Sequence, residues 1–260
     1  MSWATRRKVI YLTGVFLFFA IVVGGPVAYH FLTIPPNCHD GKQDGGETAI
    51  DEGGPCLVLN PAQLQPEGVL WSRSFNVRKG DYDAVAYIDN PNQHAGVMEA
   101  HYELDLYDDQ NALVADVGGT TFIMPGGVTP VFIGNISTGN RIAVHTQFQL
   151  TGPLTWESAI DIAQGVSVSN EQPSETASSS AVTAIATNTS VAPVSGITFV
   201  ATVFDPSGNA IATSQTALQS LAAGADQQIF FTWPSRFSAP VGRIDIIPEV
   251  APEPDPTAER

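Results

Sequence analysis

The chain has 260 residues, 11 basic against 26 acidic, and a formal charge of −15. All 26 acids lie after Leu32, whereas Arg6, Arg7 and Lys8 lie before it, so the part from Thr33 onward carries eight bases and a charge of −18. That excludes a nucleic-acid-binding surface, which must neutralise phosphates with a basic face, and long-range attraction to anionic lipid. A hydrophobic content of 43% with 14% charged residues is globular rather than disordered.

Residues 1–8 form a short stub ending in Arg6-Arg7-Lys8. From Val9 to Gly25 there is no charge, and the apolar character resumes after Pro26 as far as Pro35-Pro36. As a helix, Val9–Gly25 rises about 26 Å and Val9–Leu32 about 36 Å, against a hydrocarbon core of roughly 30 Å. A cleavable signal peptide needs small residues at the cleavage site, but Pro26-Val27-Ala28 puts proline there. A lipoprotein needs a Cys directly after the apolar stretch, and Cys38 instead follows Pro35-Pro36-Asn37. The segment 9–34 is therefore read as an uncleaved signal anchor. Bases before it and none just after place the N-terminus in the cytoplasm and the bulk of the chain outside the membrane. Tyr29 and His30 are expected at the outer interface, and Gly24-Gly25-Pro26 is expected to kink the outer third of the helix.

Residues 35–60 read as an acidic stalk. Outside the cytoplasm two Cys and no third make a Cys38–Cys56 disulfide the default, worth about 3 kcal/mol for a loop of this size. Between them stand Asp40, Asp44, Glu47, Asp51 and Glu52, joined by glycine turns. Clustered carboxylates on a backbone that folds back are candidate ligands for Ca²⁺, with His39 beside them, although the spacing is not that of an EF-hand. The alternative is a solvated acidic linker stapled by the disulfide. The run Cys-x-Asp-Gly, Gly-x-Glu, Asp-x-Gly-Gly-x-Cys resembles a short Cys-rich module of bacterial surface proteins. It differs in having Asp44 where Asn is common and Glu52 where a further Cys stands.

The remainder reads as all-β. Met98, Ala100, Tyr102, Leu104 and Leu106 alternate with polar residues, as do Ile142, Val144, Thr146, Phe148 and Leu150. Period two with one polar face predicts half-buried antiparallel strands. Weaker versions cover Val69–Val77 and Tyr82–Asp89, and Ser167–Ser180 holds a first strand and then a loop. Leu218–Ala225 is at most one helical turn. The second half repeats the first at an offset of 97 or 98 residues: Asn90 matches Asn188, Tyr107 matches Phe204, Asp108 matches Asp205, Gly126 matches Gly224 and Phe132 matches Phe230. That period is the size of a β-sandwich domain. The expected architecture is two tandem Ig-like antiparallel β-sandwiches, 61–163 and 164–249, after a single transmembrane helix, with a Pro- and acid-rich tail at 250–260, disordered or extended.

Leu106-Tyr107-Asp108, with Leu104 before it, and Val203-Phe204-Asp205, with Ala201 before it, resemble the FxLYD family of bacterial and archaeal surface domains. Asn90-Pro91, Asn188-Thr189 and Phe231-Thr232-Trp233 fit the same pattern. The resemblance implies Ig- or fibronectin-like binding or spacer modules and brings no catalytic residues.

No GxSxG, P-loop or HExxH run is present. His101 with Glu99 and Glu103, and His145, lie on polar strand faces and would approach a metal only if those strands were neighbours. Glu103 and Asp105 project to one side of a strand at a glycosidase-like separation, but facing water. Trp71, Trp156 and Trp233 are core candidates, with a carbohydrate platform as the lesser option. The expected function is non-enzymatic: an anchored extracytoplasmic protein displaying two modules to an envelope protein or glycan partner. The alternative is an accessory subunit of a membrane-embedded secretion or pilus-type assembly.

Overall fold

The structure, a computed structural model, describes residues 3–33 and 37–258. The expected junction of anchor and stalk at 34–36, the side chain of His30 and the last two residues of the tail lie outside what is described.

The N-terminal segment is helical: α1 (Trp3–Phe19), a π-helical stretch (Ala20–Gly24), and α2 (Gly25–Thr33). The wide turns fall directly before Pro26, where the expected kink lies. Proline offers no N–H to the carbonyl four residues back, and the helix accommodates that by loosening. Thr5–Tyr29 is long and apolar enough to cross a membrane, with a mean hydropathy of 2.2, and none of it is buried in the protein.

Fourteen strands follow: β1 (Gly68–Arg78), β2 (Asp81–Asn90), β3 (Ala95–Tyr107), β4 (Leu113–Ile123), β5 (Gly127–Ser137), β6 (His145–Thr151), β7 (Glu157–Ile160), β8 (Val166–Glu175), β9 (Ser180–Asn188), β10 (Val194–Phe204), β11 (Ala210–Leu221), β12 (Asp226–Trp233), β13 (Arg243–Glu249) and β14 (Glu253–Pro254). All pairings are antiparallel. In the first half, sheet β1-β2-β5 faces a sheet in which β3 lies between β4 and β6. In the second half, sheet β8-β9-β12 faces sheet β11-β10-β13. Sheet β1-β2-β5 and strands β4-β3-β6 follow the same order of pairing as β8-β9-β12 and β11-β10-β13, while β7 and β14 extend the sheet of β3 alone.

Each half closes over a core, and Met124 and Phe122 of the first half join the core of the second. Ala84, Ala86 and Ile88 of β2 meet Leu104 and Leu106 of β3, Phe148 and Trp156. Val182, Ala184 and Ala186 of β9 meet Phe199, Ala201 and Val203 of β10, Phe231 and Trp233. A third cluster lies between the halves: Val85 and Tyr87 on the outer face of β2, with Trp71, Phe75, Val128 and Phe132, pack on Val200 and Ile247. The four sheets therefore stack in layers, and β2 and β10 are buried on both faces. A run such as Ala84–Ile88, apolar or aromatic at every position, belongs to such a strand rather than a half-buried one.

Two segments differ from expectation. Ile142 and Val144 precede β6 and are exposed, because a loop pinned by Ala143 N–H to the Tyr82 hydroxyl (3.1 Å) occupies that stretch. Leu218–Leu221 completes β11 instead of turning as a helix, since its ladder with β10 continues to Leu221. Over its described part the tail is extended and packed, not disordered. Val250 is buried, and Glu253 and Pro254 pair with Ile160 and Ala159.

Candidate functional site

The cysteine loop is a folded unit. Cys38 and Cys56 form a disulfide with Cα atoms 5.6 Å apart, and both are buried. The acids around it act mostly on the loop's own backbone. Glu47, itself buried, accepts the N–H groups of Asp44 (3.3 Å) and Asp51 (3.2 Å) on Oε2. Both oxygens of Asp51 accept Gly41 N–H at 3.1 Å, and Asp40 accepts Lys42 N–H at 2.9 Å. Glu52 forms a bridge with Ala49 through its backbone. Gly54 sits at φ +62 with Gly46 O where a Cβ would stand, which only glycine tolerates.

The five candidate Ca²⁺ ligands are not brought together as a cage. Among the described residues, the one cluster of His, Cys, Asp or Glu ligand atoms close enough to share an ion is Cys38, Glu47 and Cys56. Both of its sulfurs are spent in the disulfide. Asp40, Asp44, Asp51 and Glu52 do not join a group of three. Carboxylates separated by glycine turns bond backbone N–H groups as readily as they bond cations, and composition alone does not separate the two uses. The expected result of adding Ca²⁺ to the full chain is an unchanged melting curve. Reduction of Cys38–Cys56 is expected to lower stability by about 3 kcal/mol in denaturant titrations and to open residues 38–56 to protease.

The loop is not a free stalk. Leu57 O accepts Ser158 N–H (2.7 Å), Leu59 N–H reaches Trp156 O (2.8 Å), and Leu59 and Leu64 pack on the first core. Further along β7, Ser158 O accepts Asp255 N–H (2.8 Å). Both N–H and C=O of Ser158 face one edge, so the chain leaving the cysteine loop and the C-terminal tail share that edge.

The seam between the halves is the second feature that sequence reading missed. Tyr87 donates its hydroxyl to Thr202 Oγ1 (3.1 Å), and burial pushes the Tyr87 phenol up to about 12. Trp71 lies 4.4 Å from Tyr87 and 6.1 Å from Phe204, ring centre to ring centre, and the Arg243 guanidinium caps Phe204 at 4.1 Å. On β13, Glu249 stands two residues beyond Ile247 and so faces the same way. It is 7% exposed, and burial pushes its carboxyl up to about 8. A cleft of about 260 Å³ opens at one end of the seam, lined by Arg73–Val77, Ala210–Thr213 and Trp233–Ser238.

The other sequence candidates resolve simply. Strands β3 and β6 are neighbours, but His101 lies opposite Thr151 while His145 lies opposite Tyr107. Six residues of strand, roughly 20 Å, separate the two imidazoles' positions. Glu103 accepts from Gln149 Nε2 (2.9 Å), and Asp105 accepts the Tyr107 hydroxyl (3.0 Å). Trp156 and Trp233 are core residues, and Trp233 Nε1 donates to Thr213 O (2.7 Å). Neither offers a ring face to a sugar.

The repeated turn residues match in detail. Asn90 Nδ2 donates to Ala95 O (2.7 Å) and Met124 O (2.8 Å), and Asn188 Nδ2 donates to Ala192 O (2.8 Å) and Leu221 O (3.0 Å). Asp108 Oδ1 accepts the N–H groups of Gln110 and Ala112, and Asp205 Oδ1 those of Ser207 and Asn209. Hydrogen bonds hold both carboxylates below the usual range, led by Ala112 N–H at Asp108 and by the Asn209 side chain at Asp205.

No family model matches this chain, and no curated protein matches it. Among solved structures it matches red sea bream transglutaminase at 10% identity, over 73% of this chain and 30% of that one, with a TM-score of 0.25. The chain thus spans under a third of that enzyme's length, and a likeness of this size carries no argument about fold or activity.

Proposed function

We propose that this chain is a non-enzymatic, single-pass membrane protein that holds two Ig-like β-sandwich modules outside the membrane for a structural or binding role at the cell envelope. The observation that carries this reading is the helix Thr5–Tyr29. It is 25 residues long with a mean hydropathy of 2.2 and buries nothing against the rest of the protein. An apolar helix with no protein surface to cover it needs a lipid solvent. The disulfide supports an oxidising compartment for the portion that follows. Arg6, Arg7 and Lys8 before the helix support an N-terminus in the cytoplasm. The duplicated Asn and Asp turns support two modules of one type, akin to FxLYD domains. Their acidic surface keeps the modules soluble and away from anionic lipid.

The test is fractionation of cells expressing the full chain. The protein is expected to stay in the membrane pellet through alkaline carbonate, and removal of residues 1–33 to release it. Protease added to spheroplasts is expected to digest everything beyond residue 37. Extraction of the intact chain by carbonate, or survival of the acidic portion until the cytosol is opened, would reject the reading.

A further inference from the structure

Among the described residues most strands that end a sheet are guarded. Edge strands are ordinarily kept from pairing with other chains by charges, prolines, bulges or cover. Strand β4 carries Asp116 and the pair Gly118-Gly119; β5 carries Pro130 and Asn135 at φ +60; β8 carries Glu171, Pro173 and Asn170 at φ +57. Strand β13 carries Arg243, Asp245, Pro248 and Glu249, while β12, eight residues long, carries a charge only at its first residue, Asp226. Strand β1 carries Arg73 and Arg78, and the open side of β6 is covered by β1, where Ser74 N–H meets Thr146 Oγ1 (2.9 Å) and Ser72 Oγ meets Thr146 O (3.3 Å).

Strand β11, AIATSQTALQSL, has a bulge at Ile211 and the Trp233 side chain over Thr213, but none of these from Ser214 to Leu221. It is 12 residues long, holds no charge, proline or glycine, and among the described residues ends its sheet with β10 as its one partner. Trp233 Nε1 covers the carbonyl of Thr213, which marks the open side. Strand geometry turns the N–H and C=O groups of Gln215, Ala217 and Gln219 to that same side, since alternate residues share an edge. All three residues are exposed.

The geometry points to a second copy of this chain as the partner, joined through β11 to form a two-fold dimer. Charge selects this occupant over other contacts. The portion from Thr33 carries −18, so most self-contacts bring carboxylates together, yet from Pro206 to Ala225 no residue is charged. Two identical edges supply each other with donors and acceptors, and a two-fold pairing uses the same edge of both copies, so this contact closes at two. The inference does not depend on the anchor reading.

The experiment uses the full chain in detergent micelles. The native cysteines are bridged, so one added cysteine is the sole free thiol. Ala217→Cys and Gln219→Cys are expected to give a dimer with a bis-maleimide, while Val191→Cys, in a fully exposed turn, stays monomeric. In the Gln219→Cys background, Ala217→Lys sets two ammonium groups against each other and is expected to lower the cross-linked fraction at least about tenfold. An unchanged melting curve would show that the fold is intact. A dimer indifferent to Ala217→Lys, equal cross-linking at Val191, or a parent that sediments as a monomer at concentrations on the order of tens of micromolar would each overturn the assignment.

Discussion

Replacing Glu249 by Gln is expected to leave stability nearly unchanged at pH 4 and to raise it at pH 9 by roughly 5 kcal/mol. Burial in the seam holds the folded-state carboxyl at about 8, against an ordinary value of 4.5. Between those values the unfolded chain has released the proton that the folded chain keeps, so the parent loses stability steadily as pH rises through the window. Below about 4.5 both states are protonated and the penalty is absent; above about 8 it is complete. The span of the shift sets the magnitude at about 1.4 kcal/mol per pH unit. Glutamine keeps the shape and removes the titration. Other groups shifted by burial, Asp83, Asp161 and Asp245, act in both proteins and cancel in the comparison. Denaturant unfolding at several pH values reads the difference directly. Parallel curves for parent and variant from pH 4 to 9 would show that Glu249 does not titrate within the seam.

That seam is the part of the molecule least legible in the sequence. The helix announces itself by an uninterrupted apolar run, and the strands of each sandwich by their alternation. Those signals are local, because side-chain period follows directly from backbone geometry. Tyr87 and Val200 carry no such signal. Each sits on the second face of a strand whose first face already makes a core, and only the packing of one half on the other buries it. Trp71 has the same status: its sequence suggests a core, but the core it joins lies between the halves. The cysteine loop shows a different limit. The pairing of Cys38 with Cys56 follows from there being two thiols, while the direction in which Asp51 and Glu47 point depends on turns whose φ values the composition does not fix. The docking of the extended tail is hidden for a third reason. Its prolines forbid a long strand but allow a two-residue pairing at an edge, where a missing N–H can face away from the ladder.

The buried asparagines are expected to be the most sensitive single positions in the chain. Asn90 and Asn188 are both fully buried, at 0% exposure. Each donates to two main-chain carbonyls, and each accepts the N–H two residues on, from Asn92 (3.0 Å) and Ser190 (2.9 Å). Asn90→Ala leaves the carbonyls of Ala95 and Met124 without that donor in a site water does not reach, at about 1–3 kcal/mol for each lost partner. The expected loss is roughly 3–5 kcal/mol for either alanine variant, a fall in melting midpoint of about 10 °C for a protein of this size. Asn90→Asp and Asn188→Asp are expected to be worse at neutral pH, because a carboxylate would face two carbonyl oxygens at hydrogen-bonding distance. Acid should narrow that gap, since the protonated carboxyl can donate one of the two bonds. The seam adds a second expectation. With β2 and β10 each buried on both faces, the halves unfold together, so Asn90→Ala and Asn188→Ala should each shift one shared transition. Two separated transitions, with each variant moving only its own, would mean that the halves fold independently and that the four-layer stack is not a cooperative unit. Midpoints within about 2 °C of the parent for both alanine variants would remove the asparagine turns from any role in stability.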